Sequence, residues 1–263
     1  MSMSRSKSFH VSIVYTLVII MLLPLIGSLL YALSTSWMAT ILPQGYTFRW
    51  FSELLTAERF YIALWHSFVV CFSSAAIGTC LIVPTTFLVH YAYPQYKKLM
   101  ELLVLLPFAF PAIVASIGLM QIYSGGPVLL TGTPYILIGS YIGIIFPFIY
   151  RVNANAIQGM NVPELIASSH LLGSSTWKAF LMVIVPSLKK SIMIGFVLSF
   201  SFLLGEFVFA NILVGTRYET IQVYLFNMRN YSGHYTSAIV ITYFMITLLL
   251  AYTLNRLSRD KQS

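Results

Sequence analysis

Long apolar runs and short polar breaks alternate along this chain, and one break differs from the others in kind. Six runs read as helices that cross a bilayer: 11–33, 62–90, 102–123, 134–150, 189–214 and 236–254. About 20 apolar residues at 1.5 Å each suffice to span the hydrocarbon core. The first run is far longer than the roughly 7–15 apolar residues of a secretory signal, so an uncleaved span is expected there although Ala32-Leu33-Ser34 imitates a cleavage site. Residues 35–61, with Trp37 and Trp50, suit an external loop at the membrane interface. Arg151 is expected to end the fourth run, and a loop is expected over 124–133 and again over 215–235. Pro24, Pro84, Pro107, Pro111 and Pro147 fall within runs. Such kinks fit ordinary bundle packing and bent helices around a path equally well.

The different break is 162–186, VPELIASSHLLGSSTWKAFLMVIVP, between the fourth and fifth runs. Asn161 is placed to cap a helix whose first turn holds Pro163 and Glu164. That helix should run to Leu172 and stop at Gly173, the residue that best adopts a left-handed conformation. Ser174 and Ser175 are N-cap candidates for a second helix, which Pro186 should end. A bent pair of short amphipathic helices with few charges should be covered by something. If it lay on lipid, more basic residues than Lys178 would be expected.

Composition supports the spans. Of 263 residues, 58% are hydrophobic and 8% charged, against about 25% charged in soluble domains. The net charge of +8 matters through its placement. With the N-terminus inside, eleven Lys and Arg fall on the inner side: Arg5, Lys7, Lys97, Lys98, Arg151, Lys178, Lys189, Lys190, Arg256, Arg259 and Lys261. Four fall outside: Arg49, Arg59, Arg217 and Arg229. The positive-inside rule therefore places both termini and the 162–186 break in the cytoplasm.

The 162–186 stretch resembles the coupling loop of permease subunits from binding-protein-dependent ABC importers, the MetI-like family. The family pattern of Glu-Ala-Ala, three residues, Gly, nine residues, Ile, one residue, Leu-Pro falls on Ala167-Ser168-Ser169, Gly173, Val183 and Val185-Pro186. Leu172-Gly173-Ser174-Ser175-x-Trp177 is also similar to family members. The departure is Ala167, where the family carries an acid; Glu164, one turn earlier, is the nearest substitute. The resemblance implies an all-α membrane protein with six transmembrane helices. Its cytoplasmic N-terminus would be 1–10, its first span 11–34, its external loop 35–61, its permease domain 62–257 and its cytoplasmic tail 258–263. It further implies a bacterial inner-membrane, multi-pass subunit that is not itself an enzyme. Expected partners are two cytoplasmic ATP-binding subunits, which would bind ATP and Mg, a second permease subunit and an extracytoplasmic solute-binding protein. No nucleic acid is expected. The implied ATPase-coupling residues are Glu164, Ala167, Ser168, Ser169, His170, Leu172, Gly173, Ser174, Trp177 and Pro186.

Glu206 is the only acidic residue well inside an apolar run, where a charge costs at least a few kcal/mol unless it faces protein or water. At helical spacing, Gly195, Ser199, Phe202, Glu206 and Ala210 would share one face. Two readings stay open: a path or gate residue, together with Ser199, or a buried hydrogen bond or ion pair. Leu204-Gly205-Glu206, the stretch 215–220 and the stretch 41–47 resemble permeases for polyamines and 2-aminoethylphosphonate. That resemblance implies a small cationic or zwitterionic solute, with ferric iron and thiamine as alternatives.

The remaining chemistry is thin. No G-x-x-x-x-G-K-[ST], H-E-x-x-H or G-x-S-x-G occurs, which argues against a P-loop ATPase and against the hydrolases those motifs mark. Cys71 and Cys80 fit no metal spacing and read as small apolar fillers. His66, His90 and His234 read as interface histidines, and His170 as a contact. No internal repeat is visible, which disfavours a stand-alone carrier.

Overall fold

The computed structural model describes residues 2–38, 40–125 and 129–259, with side chains described from 10 to 253 within those ranges. Part of the expected 124–133 loop (126–128) and residues 260–263 of the expected tail lie outside the described residues. So do Lys261 and the side chains of Arg5, Lys7, Arg256 and Arg259. The described residues form helices and no sheet, with a single isolated β-bridge between Ser34 and Tyr46.

In chain order the helices are α1 (Ser2–Ala32), α2 (Arg49–Thr56), α3 (Glu58–Tyr91), α4 (Lys97–Ala109), α5 (Ala112–Ser124), α6 (Pro134–Gln158), α7 (Val162–Leu171), α8 (Thr176–Ser187), α9 (Lys189–Leu204), α10 (Val208–Leu213), α11 (Ile221–Met228) and α12 (Gly233–Arg259). Four of them hold stretches long and apolar enough to cross a membrane: His10–Ala32, Glu58–Tyr91, Pro134–Gln158 and Gly233–Thr253. Two bent pairs bring the count to six if each pair is one span.

Those pairs correct the third and fifth expected spans. Helices α4 and α5 meet at 96°. Pro111 lacks an N–H and forces the residue before it out of the helical region, so Phe110 is extended at φ −109°, ψ 135°. Pro107, by contrast, stays inside α4. Helices α8 and α9 meet at 71°. Here Pro186 does not end the helix. A π-turn over Phe180–Ile184 widens the ladder just before the ring, and the chain stays helical to Ser187. The bend comes at Leu188. Three further expectations shift. Helix α6 runs through Arg151 to Gln158, α9 stops at Leu204 instead of continuing to 214, and the expected 215–235 loop contains α11.

The chain divides into two compact units, residues 1–61 with 224–248, and residues 62–223 with 249–263. In the first, the end of α1 is tied to α2 and to the start of α12 by aromatic stacking. His234 stacks on Tyr31 with centroids 4.1 Å apart and on Trp50 at 5.6 Å. The Trp50 indole donates to the Ser34 carbonyl at 2.9 Å, and His234 Nδ1 lies 3.0 Å from the buried Ser34 hydroxyl. His234 is therefore part of a packed polar knot.

In the second unit, α6 and α9 form the centre. Tyr141, Ile145, Ile149, Phe200 and Leu203 are buried. Gly195 permits the close approach: a Cβ there would lie 3.4 Å from the Ile149 Cα and from the Asn153 amide nitrogen. Burial of such side chains contributes roughly 1.5–3 kcal/mol each in water-referenced terms. Within lipid, dispersion and close fit replace that term.

Candidate functional site: a bent helix pair and a carboxylate-lined cavity

Helix α7 ends in a Schellman motif. Gly173 takes φ +79°; its N–H donates to the His170 carbonyl at 2.9 Å, and the Ser174 N–H donates to the Ser169 carbonyl at 3.0 Å. An L-residue at Gly173 would be strained by conformation alone, since no neighbouring atom lies within 4 Å of the point a Cβ would occupy. Ser175 occupies the N-cap of α8, its hydroxyl accepting from the Lys178 N–H at 3.3 Å. The His170 Nε2 lies 3.2 Å from the Thr176 hydroxyl and bridges the two helices. Asn161 does occupy the N-cap position of α7, but its side chain makes no capping bond; its carbonyl accepts from the Leu165 N–H instead.

The packed side of the pair is Val162, Ile166, Ser169, Ala179, Phe180 and Ile184, all buried. Phe180 stacks under Trp177 at 5.0 Å and against Phe87 at 4.6 Å, joining α8 to α3. Ser169 turns inward, its hydroxyl donating to the Leu165 carbonyl at 2.8 Å. Glu164, Ala167, Ser168, His170, Leu172, Gly173, Trp177 and Pro186 are exposed, while Ser174 is half-buried. At the tip, Leu171 is 89% exposed and Leu172 87%. From sequence, Leu171 is expected on the apolar faces of the pair, with Leu165, Leu172, Phe180 and Val183, but not among the coupling residues. The available signal is its place beside a helix-stopping glycine, where no following turn covers a side chain.

Glu206 sits in a break between α9 and α10, so the single face expected from Gly195 to Ala210 does not exist. Gly205 caps α9. The Glu206 carboxylate then restarts the helix: Oε1 accepts from the Phe209 N–H at 2.9 Å and Oε2 from the Ala210 N–H at 3.2 Å. Oε2 also accepts from the Tyr141 hydroxyl at 2.9 Å. Ser199 lies elsewhere, fully buried with no hydrogen-bond partner for its hydroxyl, and the buried Asn153 side-chain oxygen is likewise unpartnered.

Glu206 lines a cavity of about 620 Å³ between α4, α5, α6 and the α9–α10 break. Its walls are otherwise apolar, and Ser140 is the one other polar side chain among the described residues on them. Tyr141 and Phe209 hold the carboxylate, and sequence reasoning misses them; Tyr141 is 65 residues away. Among the described residues, no group of three His, Cys, Asp or Glu side chains is placed to hold a metal ion.

Comparison with known proteins places this architecture. The family described as "Binding-protein-dependent transport system inner membrane component" matches residues 82–261. A probable sulfate transport system permease protein, cysT, of Prototheca wickerhamii is 29% identical over 188 residues, 64% of this chain and 73% of the relative. The "Putative 2-aminoethylphosphonate transport system permease protein PhnV" of Salmonella typhimurium is 26% identical over 245 residues, 92% of this chain and 91% of the relative. The spermidine/putrescine transport system permease protein PotC of Escherichia coli is 24% identical over 223 residues, 83% and 82% of the two chains. In fold, the chain is similar to the crystal structure of a bacterial ABC transporter involved in alginate import, with TM-score 0.78 at 18% identity over 98% of both chains.

Proposed function

The chain belongs to the binding-protein-dependent transport system inner membrane component family, a multi-pass permease component of ABC importers, and from that premise we propose how it works and what it carries. The α7–α8 pair docks on a cytoplasmic ATP-binding subunit, and its movement switches the bent spans between outward-facing and inward-facing arrangements, a rocking of rigid parts. Two ATP-binding subunits, a second permease subunit and an extracytoplasmic solute-binding protein complete the complex; ATP and Mg belong to the ATP-binding subunits. Both termini face the cytoplasm, in keeping with the eleven-to-four distribution of Lys and Arg.

The single observation that carries the coupling role is the α7 tip. Leu171 and Leu172 stand exposed beside a Schellman-locked glycine, on a pair whose other face is packed. A rigid, apolar knob is suited to transmit force to a partner groove. Because Ala167 stands where the family carries an acid, the grip rests on apolar contact more than on an ion pair.

The solute is a small cationic or zwitterionic molecule. Similarity to PhnV and PotC supports that class, and so does Glu206 in the cavity wall. Similarity to cysT favours an oxyanion instead; a lone carboxylate is a poor host for one. The test is reconstitution of the complete complex in vesicles. ATP-dependent uptake of spermidine or 2-aminoethylphosphonate, loaded on the binding protein, is expected. Uptake of sulfate alone would overturn the cationic class, and a chain that transports with no ATPase bound would overturn the coupling role.

A further inference from the structure

The Glu206 cavity combines features that together select one kind of group. Its walls carry Phe108, Phe110, Phe146, Phe202 and Phe209 and, among the described residues, no Lys, Arg or His. Among the described residues its one ionisable side chain is Glu206, which accepts hydrogen bonds from the Tyr141 hydroxyl and from the Phe209 and Ala210 amides. These donors are neutral, so they fix the carboxylate in place without neutralising it. No basic side chain among the described wall residues pairs with it, so a cation entering the cavity would find its counter-ion there.

We propose that this cavity receives the organic ammonium group of the transported solute, with Glu206 as its counter-ion and the phenylalanine rings as its walls. An ammonium presents both a charge to the carboxylate and C–H or N–H surface to ring faces, where cation–π attraction acts. A metal cation is a poor fit. It requires four ligands or more, about six oxygens for Ca²⁺ or Mg²⁺, whereas the described side chains of the walls supply only Glu206 and Ser140, and the Ser140 hydroxyl already donates to the Ile136 carbonyl at 2.6 Å. An anion would meet the carboxylate with no compensating base. The assignment deepens the cationic-solute reading above and rests on it, but it concerns this cavity alone.

The test reads charge selectivity at the wall and leaves the solute unidentified. Cys71 and Cys80 are replaced by Ala, and a reporter thiol is introduced by Ser140→Cys, with Phe202→Cys as a second reporter. In the assembled complex, modification rates are measured for a trimethylammonium-bearing and a sulfonate-bearing methanethiosulfonate reagent. Each rate is divided by that reagent's rate with a free thiol. The expected result is a preference of about tenfold or more for the cationic reagent, the lower end of electrostatic focusing in a low-dielectric cleft. Glu206→Gln, which retains an acceptor oxygen for the α10 amides, should erase that preference. Equal preference in both backgrounds, or no modification of either reporter, overturns the assignment. Neither result touches the ATPase-coupling role, which is tested separately by the α7 variants and by transport without the ATP-binding subunits.

Discussion

Tyr141 donates its hydroxyl to Glu206 Oε2 at 2.9 Å, joining the middle of α6 to the break between α9 and α10. Tyr141 is 1% exposed, so its ring is fixed by packing and the hydroxyl is delivered at a set point. The bond also ties the carboxylate to the side of the cavity formed by α6. This is the long-range contact on which the geometry of Glu206 depends.

Tyr141→Phe removes that donor while keeping the ring. Hydrogen bonds to charged groups contribute about 1.5–3 kcal/mol, and a loss of that order is expected, because backbone donors remain on the carboxylate. Thermal unfolding of the detergent-solubilised complex should show a lowered midpoint. An unchanged midpoint would mean that Glu206 does not need Tyr141.

Gly173→Ala should weaken α7 without disturbing insertion. The residue sits at φ +79°, where a Cβ costs roughly 1–2 kcal/mol. Increased protease sensitivity between α7 and α8 is the expected signature. Gly173→Asp carries the same strain and a charge at the tip, and it should abolish solute-stimulated ATP hydrolysis in the assembled complex. Stimulation at the native level would refute the coupling assignment.

Leu171→Ser combined with Leu172→Ser separates folding from docking. Both side chains are nearly free of contacts within the chain. Stability should change by no more than about 0.5 kcal/mol, as for surface sites. Binding of the ATP-binding subunit should fall by at least about tenfold, the size expected when contact hot spots are removed. Equilibrium binding in nanodiscs decides between this and an ionic grip, which would leave affinity intact and respond instead to Glu164→Gln.

Ser199→Ala tests the path reading of Ser199. The hydroxyl is fully buried and unpartnered, and leaving a buried polar group unpaired costs about 1–3 kcal/mol. The alanine variant should match or exceed the native protein in thermal stability and transport normally. A transport defect with native stability would return Ser199 to the solute path.

The elements legible from sequence are those decided by neighbours in the chain. Apolar runs of about the length that spans a bilayer mark α1, α3, α6 and α12, because a membrane leaves the backbone no alternative to internal hydrogen bonding. Gly173 announces its own left-handed stop, since the steric rule belongs to that one residue. Local rules also mislead where something non-local competes. Asn161 could cap α7 and does not. Pro186 could end α8, yet a π-turn absorbs it.

What only the tertiary structure decided are the features that depend on partners far along the chain. Glu206 is readable as a charge in an apolar run, but not as the cap of α10, the acceptor of Tyr141 and the wall of a phenylalanine-lined cavity. Likewise Ser199 and Glu206 share a helical face on paper, and the break at Gly205 puts them in different surroundings. Sequence determines which groups must be shielded from lipid. Close packing of α6 against α9, with Gly195 at the contact, determines which of them end up buried and which line a cavity.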